Sequence, residues 1–414
     1  MNIYAIIILV TIALDFILGL VSDSLNLKHM TGDLPDEFKD VYDQEAYQKS
    51  QAYTRTNTRF GFISSGFNLV VTLAFWFLGG FNWIDIWVRS FGLHPIWNGL
   101  IYVGVLMGLL SLISLPFSIY STFVIEEKFG FNKTTPRTFV LDLLKGLFLS
   151  IIIGTPLLAG ILAFFSFAGQ LAWLYCWGVT TIFTLILQFI APTWIMPLFN
   201  KFTPLEEGEL RDSIMNYAKS VKYSLSNVFV MDGSKRSSKS NAFFTGFGKN
   251  KRIALFDTLI EKHTVAEMTA ILAHEIGHYK KKHIIQGMVI SILHMGVVFF
   301  LMGLFLSQKG LFDAFYMEHM SVYAGLLFFG MLYSPVELIL SVFMNIMSRK
   351  HEFEADKFAV ETTSNGQAMI DALKKLSIHN LSNLRPHPFY VFLNYSHPPV
   401  LARVQRIQSL IKGT

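Results

Sequence analysis

Seven stretches of this chain, near 4–22, 62–80, 100–122, 145–167, 171–193, 285–306 and 322–345, are apolar over enough residues to cross a bilayer, whose hydrocarbon core is about 30 Å thick. That pattern leaves few folds open. In lipid every backbone N–H and C=O must find its partner inside the protein, so such stretches fold as membrane-crossing helices. Composition agrees, with 52% hydrophobic and only 15% charged residues, against about 25% charged in soluble domains. The first stretch reads as a retained span, since it lacks a basic n-region and an A-x-A-like end and contains Asp15. The single cysteine, Cys176, falls inside the fifth span, which rules out a disulfide framework and makes thiol ligation or redox chemistry an unsuitable role.

Lysine and arginine set the orientation. With the N-terminus outside, the inner segments are 23–61, 123–144, 194–284 and 346–414. Segment 194–284 carries fourteen basic residues, whereas the outer segments 81–99 and 307–321 carry one each, Arg89 and Lys309. The net charge of +5 then meets anionic lipid headgroups and requires no nucleic acid. The chain divides into 1–193, spans 1 to 5 with cytoplasmic loops; 194–284, a cytoplasmic portion with edge strands and a His-Glu-x-x-His helix; 285–345, spans 6 and 7; and 346–414, a cytoplasmic C-terminal portion that holds a third candidate metal ligand. No repeat or low-complexity tract interrupts this division.

The first cytoplasmic portion contains "ILAHEIGHYKKKH", residues 271–283. Thr264 as N-cap with Glu267 three residues on predicts a helix through this motif. On it His274 and His278 share a face and can offer two imidazoles to one metal ion, with Glu275 beside them to take a proton from a water. Gly277 removes side-chain bulk next to them. A catalytic zinc usually takes three protein ligands, and "SRKHEFEADK" near the end of the seventh span supplies the third. There Glu352 and Asp356 lie four apart on one face. Glu352 is placed to ligate, and Asp356 to hydrogen-bond the outer nitrogen of a ligand histidine and hold its tautomer. Glu354 is expected to turn away, and His351, a rival ligand, points about 100° off. Strands are expected at 225–234 and within 241–260, with a turn at 248–250; an edge strand here can bind an extended peptide by backbone pairing. Glu337, after Pro335 in the seventh span, is expected to face a cavity because an ionisable group facing lipid is costly.

Six stretches in order, "YSTFVIEEKFGFNKTT" (120–135), "PLFNKFTPLEEGELR" (197–211), "SNAFFTGFGKNKRIALFDTLI" (240–260), "ILAHEIGHYKKKH" (271–283), "SRKHEFEADKFA" (348–359) and "HPFYVFLNYSHPPVLARV" (387–404), resemble one family. It is the integral-membrane zinc CAAX prenyl proteases, a branch of the gluzincins related to the bacterial heat-shock membrane protease HtpX. The resemblance implies a mainly α membrane protein, seven transmembrane helices around a chamber, with a small cytoplasmic α+β gluzincin-like metalloprotease portion. It implies one Zn2+ per chain on His274, His278 and Glu352, and Glu275 as general base. Asn241 and Ala242 resemble the edge-strand pair that holds substrate backbone, His397 matches a histidine placed near the scissile carbonyl, and Arg403 is expected to pair with an acidic group behind the metal. The implied substrate is a peptide or protein prenylated at a C-terminal cysteine, from which a tripeptide is removed. General clearance of membrane proteins, and a transporter with a structural zinc, are the alternatives. A monomer is expected. The lack of long loop insertions and of a retrieval tail after "QSLIKGT" favours a bacterial inner membrane, with the site toward the cytoplasm; in a eukaryote the location is the endoplasmic reticulum membrane.

Overall fold

Each of the seven apolar stretches is a helix in the computed structural model, which describes residues 1–225, 227–245 and 252–413. The helical elements run Ile3–His29, Gln44–Phe77, Pro95–Glu126, Pro136–Phe167, Gly169–Leu198, His283–Phe305 and Val322–Thr363. Several outrun the bilayer. The last has 42 residues, about 60 Å at 1.5 Å per residue, and continues through Pro335 as one element. Its apolar part ends near residue 345, so Glu352 and Asp356 ride on the same rigid rod about 10 and about 16 Å beyond it.

One end of the bundle is packed with aromatic rings. Trp76, Phe312, Phe315 and Phe328 are fully buried there; Phe315 stacks on Phe328 at 3.9 Å, and the Trp76 indole donates to the Ala314 carbonyl. Buried Asp85 is held in this cap by Arg89 at 2.8 Å and by the Tyr323 hydroxyl. Further along spans 1 and 7 the packing stops. Thr11, Asp15, Asp23, Ser65, Asn68 and Glu337 are among the lining of a half-open cavity of about 870 Å³, so Glu337 lines a cavity as expected.

At the other end a four-stranded sheet, order β1-β2-β4-β3, packs on helices Glu209–Ser220 and Val265–Lys280. The strands are β1 Phe202–Pro204, β2 Asn227–Met231, β3 Ala242–Thr245 and β4 Arg252–Phe256. Strand β1 was not expected: three residues beginning at a phenylalanine and ending at a proline carry no alternating pattern, and only pairing with β2 makes them a strand. Residues 257–260 are a short helix rather than the end of a strand. Among the described residues β3 pairs only with β4, which makes it a terminal strand. The expected turn at 248–250 lies outside the described residues.

Candidate metal centre and peptidase site

The motif helix Val265–Lys280 starts with the expected capping box, in which Thr264 and Glu267 satisfy each other's backbone N–H. Its neighbour is the long helix Val322–Thr363. Gly277 is why they meet closely: a Cβ there would sit 3.1 Å from the Ala355 Cα and 3.2 Å from its carbonyl oxygen. Ala355 stands between Glu352 and Asp356, so this contact sets both carboxylates against the histidines. A bulkier residue at 277 pushes the helices apart and the ligands with them.

The result is a cluster in which His274, His278 and Glu352 each offer one ligand atom, all within 4.8 Å of one another. The Nε2 atoms of His274 and His278 face each other at 3.2 Å. They lie 3.4 and 3.2 Å from the two Glu352 carboxylate oxygens. Asp356 sits on the far side of His274, with Oδ1 2.8 Å from Nδ1. A carboxylate only accepts, so Nδ1 carries the hydrogen, and in the neutral ring Nε2 is the bare nitrogen turned toward the cluster, where a metal can take the place of a second proton. Asp356 is in turn gripped by Arg403, Nε to Oδ2 at 2.8 Å and Nη2 to Oδ1 at 2.6 Å. The guanidinium also lies 3.2 Å from Glu352 Oε2.

These residues suit a divalent metal. Glu352 Oε2 is buried and, although the Arg403 guanidinium lies 3.2 Å away, accepts no hydrogen bond from the described residues, a shortfall that a metal cation on its open side would relieve. The site's hunger for positive charge also shows on His274: burial and the Arg403 charge oppose its protonation, yet the Asp356 and Glu352 carboxylates outweigh both and push its pKa up to about 9. Arg403 itself is raised, burial being overcome by Asp356 and Glu352. A neutral His and carboxylate donor set is one that zinc favours.

Glu275 is half-buried on the motif helix beside His274. His397 reaches the cluster from the C-terminal segment, its Nε2 3.4 Å from Glu352 Oε1 and its side chain 66% exposed. The turn that carries it is tied down on both sides. Arg349 of the long helix donates to the carbonyls of Val391 and Tyr395, and after Pro398 and Pro399 the helix Val400–Lys412 brings Arg403 to Asp356. Ser396 Oγ lies 3.0 Å from His397 Nδ1.

Asn241 is exposed and directly precedes β3, with its side chain accepting from the Ala242 N–H. The segment just ahead is anchored to the membrane helices. Lys239 Nζ bonds the Tyr53 hydroxyl at 2.7 Å and Glu126 at 2.8 Å. Ser240 exchanges two backbone bonds with the Asn380 side chain. His351 does not reach the cluster; it stacks on His283 at 3.9 Å. Glu354 turns away from the cluster of His274, His278 and Glu352, as expected, but meets His283 Nε2 at 3.0 Å. His283, which no motif singles out, lies 3.1 Å from His278.

A hollow multi-pass helical bundle with a His, His, Glu cluster and a neighbouring glutamate defines a membrane metalloprotease. The sequence comparisons agree and narrow the class. Residues 24–201 match the family model described as CAAX prenyl protease N-terminal, five membrane helices, and residues 204–411 match peptidase family M48. The chain belongs to peptidase family M48 and is a zinc metalloprotease of its CAAX prenyl protease branch. It is 37% identical to CAAX prenyl protease 1 homolog of Arabidopsis thaliana over 94% of this chain and 95% of that one. It is also 37% identical to CAAX prenyl protease 1 of Saccharomyces cerevisiae, over 90% and 87%. The crystal structure of S. mikatae Ste24p superposes with a TM-score of 0.92 at 33% identity, covering 98% of this chain and 99% of that chain. The transporter alternative therefore falls. Because the plant relative is matched over nearly its whole length, short loops do not separate bacterial from eukaryotic members.

Proposed function

We propose that this protein hydrolyses a peptide bond near the prenylated C-terminus of a protein substrate, with one zinc ion held by His274, His278 and Glu352. The observation that carries the reading is the convergence of those three side chains around a buried Glu352 oxygen that accepts no hydrogen bond from the described residues. A zinc ion bound there supplies Lewis acidity toward a carbonyl and a water. Glu275 accepts the proton that water gives up and returns it to the leaving amine, so no acyl-enzyme forms. His397 donates from Nε2 to the developing oxyanion. Asp356 holds the His274 tautomer and Arg403 holds Asp356. The substrate lies extended beside β3, where the backbone at Asn241 and Ala242 pairs with it.

In this reading 194–284 and 346–414 form the catalytic portion and 1–193 with 285–345 the membrane bundle, working as a monomer. Both catalytic segments face the cytoplasm, supported by the asymmetry between fourteen basic residues in 194–284 and single ones in the outer segments. That holds in a bacterial inner membrane and in the endoplasmic reticulum alike. The prenyl preference is supported by the names of the relatives.

Matched prenylated and unprenylated peptides, digested by full-length protein in detergent with and without a zinc chelator, test the activity. Cleavage that vanishes with chelator and favours the prenylated peptide is expected. Equal cleavage of both peptides leaves a general membrane-protein protease and overturns the prenyl preference. Orientation is tested by single cysteines at Ser238, Ser382 and Ser307 in intact cells; only Ser307→Cys should react with an impermeant thiol reagent, and labelling at Ser238→Cys overturns the cytoplasmic site.

A further inference from the structure

The two histidine ligands are held in different ways. Behind His274 stand Asp356 and Arg403. Behind His278 stands His283, five residues further along the chain. On an unbroken helix five residues turn through about 140°, and the two rings would point apart. The helix is broken: Lys280 ends the motif helix, Lys282 takes a left-handed conformation at φ 63°, and the next helix begins at His283. This corner turns His283 back until its Nδ1 lies 3.1 Å from Nδ1 of His278.

His283 is buried, stacked on His351 with ring planes 6° apart, and its other nitrogen lies 3.0 Å from Glu354 Oε2. The hydrogens follow by elimination. A carboxylate only accepts, so Nε2 of His283 carries the hydrogen and Nδ1 of the neutral ring is a bare acceptor. Two nitrogens 3.1 Å apart need one hydrogen between them, so it sits on Nδ1 of His278. Nε2 of His278 is then a bare lone pair facing Glu352 and His274.

We propose that His283 and Glu354 form a positioning relay that fixes the tautomer and ring plane of His278 for the metal, as Asp356 and Arg403 do for His274. The inference rests on the reading of His278 as a ligand. It makes Glu354 a functional carboxylate although it points away from the site, and it gives a function to the helix break at Lys282. Orienting partners of metal-bound histidines contribute about 10- to 100-fold in metal affinity.

The test is the zinc dissociation constant of full-length protein in detergent, measured by competition with a chromophoric chelator, for two pairs of variants. His283→Leu removes the acceptor, whereas His283→Asn keeps an oxygen close to the place of Nδ1. Leu should weaken zinc binding by about 10- to 100-fold and Asn should restore most of it. Glu354→Ala should weaken binding and Glu354→Gln, still an acceptor for the His283 N–H, should not. Equal affinities within the His283 pair overturn the relay. If His283→Leu does not fold, the Glu354 pair decides, and equal affinities there overturn it too. His278→Ala separates the two levels: should zinc affinity survive that change, the ligand assignment itself fails, whereas loss in His278→Ala with no effect in the other pairs defeats the relay alone.

Discussion

The cluster of His274, His278 and Glu352 and the elements proposed to face substrate lie side by side and are built oppositely. Glu352 is 5% exposed while His397, 3.4 Å away, is 66% exposed. Behind the ligands, Asp356 and Arg403 are buried and bonded to each other twice; Asn241, in contrast, is exposed at the start of a terminal strand. Burial makes each bond in the cluster strong and leaves the ligands one arrangement. Exposure leaves the substrate side free to exchange water for peptide. The difference predicts that changes in the cluster cost metal or fold, and changes opposite it cost rate or affinity only.

The largest effects are expected where the two meet. Glu352→Ala should lose both zinc and cleavage, whereas Glu275→Ala should keep about one zinc per chain and lose about 10²- to 10⁴-fold in kcat. Zinc analysis beside activity assays checks this, and a Glu275→Ala protein without zinc would dissolve the distinction. Next comes Arg403→Met, which strands Asp356 buried without its counter-charge. A destabilisation of about 3–5 kcal/mol should appear in denaturant unfolding in detergent, while His397→Ala should unfold like the native protein.

On the substrate side His397→Ala should lower kcat by roughly 100-fold, about 2.7 kcal/mol, with zinc content and KM little changed. If only KM rises, His397 docks substrate and does not act on the oxyanion. The smallest effect is expected for Asn241→Ala. Contact with peptide backbone is made in ground and transition states alike, so KM should rise by several-fold at nearly constant kcat. Both constants from one fluorogenic peptide decide between the two residues.

Much of the metal cluster was legible because its signals are local. His274 and His278 share a turn of one helix, Thr264 and Glu267 announce that helix, and Glu352 with Asp356 repeats the four-residue spacing on another. That Arg403 pairs with an acidic group came through the family resemblance and not through spacing; that the group is Asp356, 47 residues away, is visible only in the structure. β1 was illegible because three residues hold no period. His283 was passed over for a physical reason: helical geometry places it away from His278, and only a lysine in a left-handed conformation, which side chains seldom adopt, brings it back.

The sequence by itself determined that the chain crosses the membrane seven times and carries two histidines and a glutamate fit for zinc, because hydrocarbon thickness and helical period act within about twenty consecutive residues. Only the tertiary structure decided that Gly277 lets two helices close on Ala355, that one rod of 42 residues carries Glu352 out of the membrane to meet the histidines, and that a cavity of about 870 Å³ stays open along spans 1, 2 and 7. Those are distances between segments far apart in the chain, and packing, which no local pattern encodes, sets them.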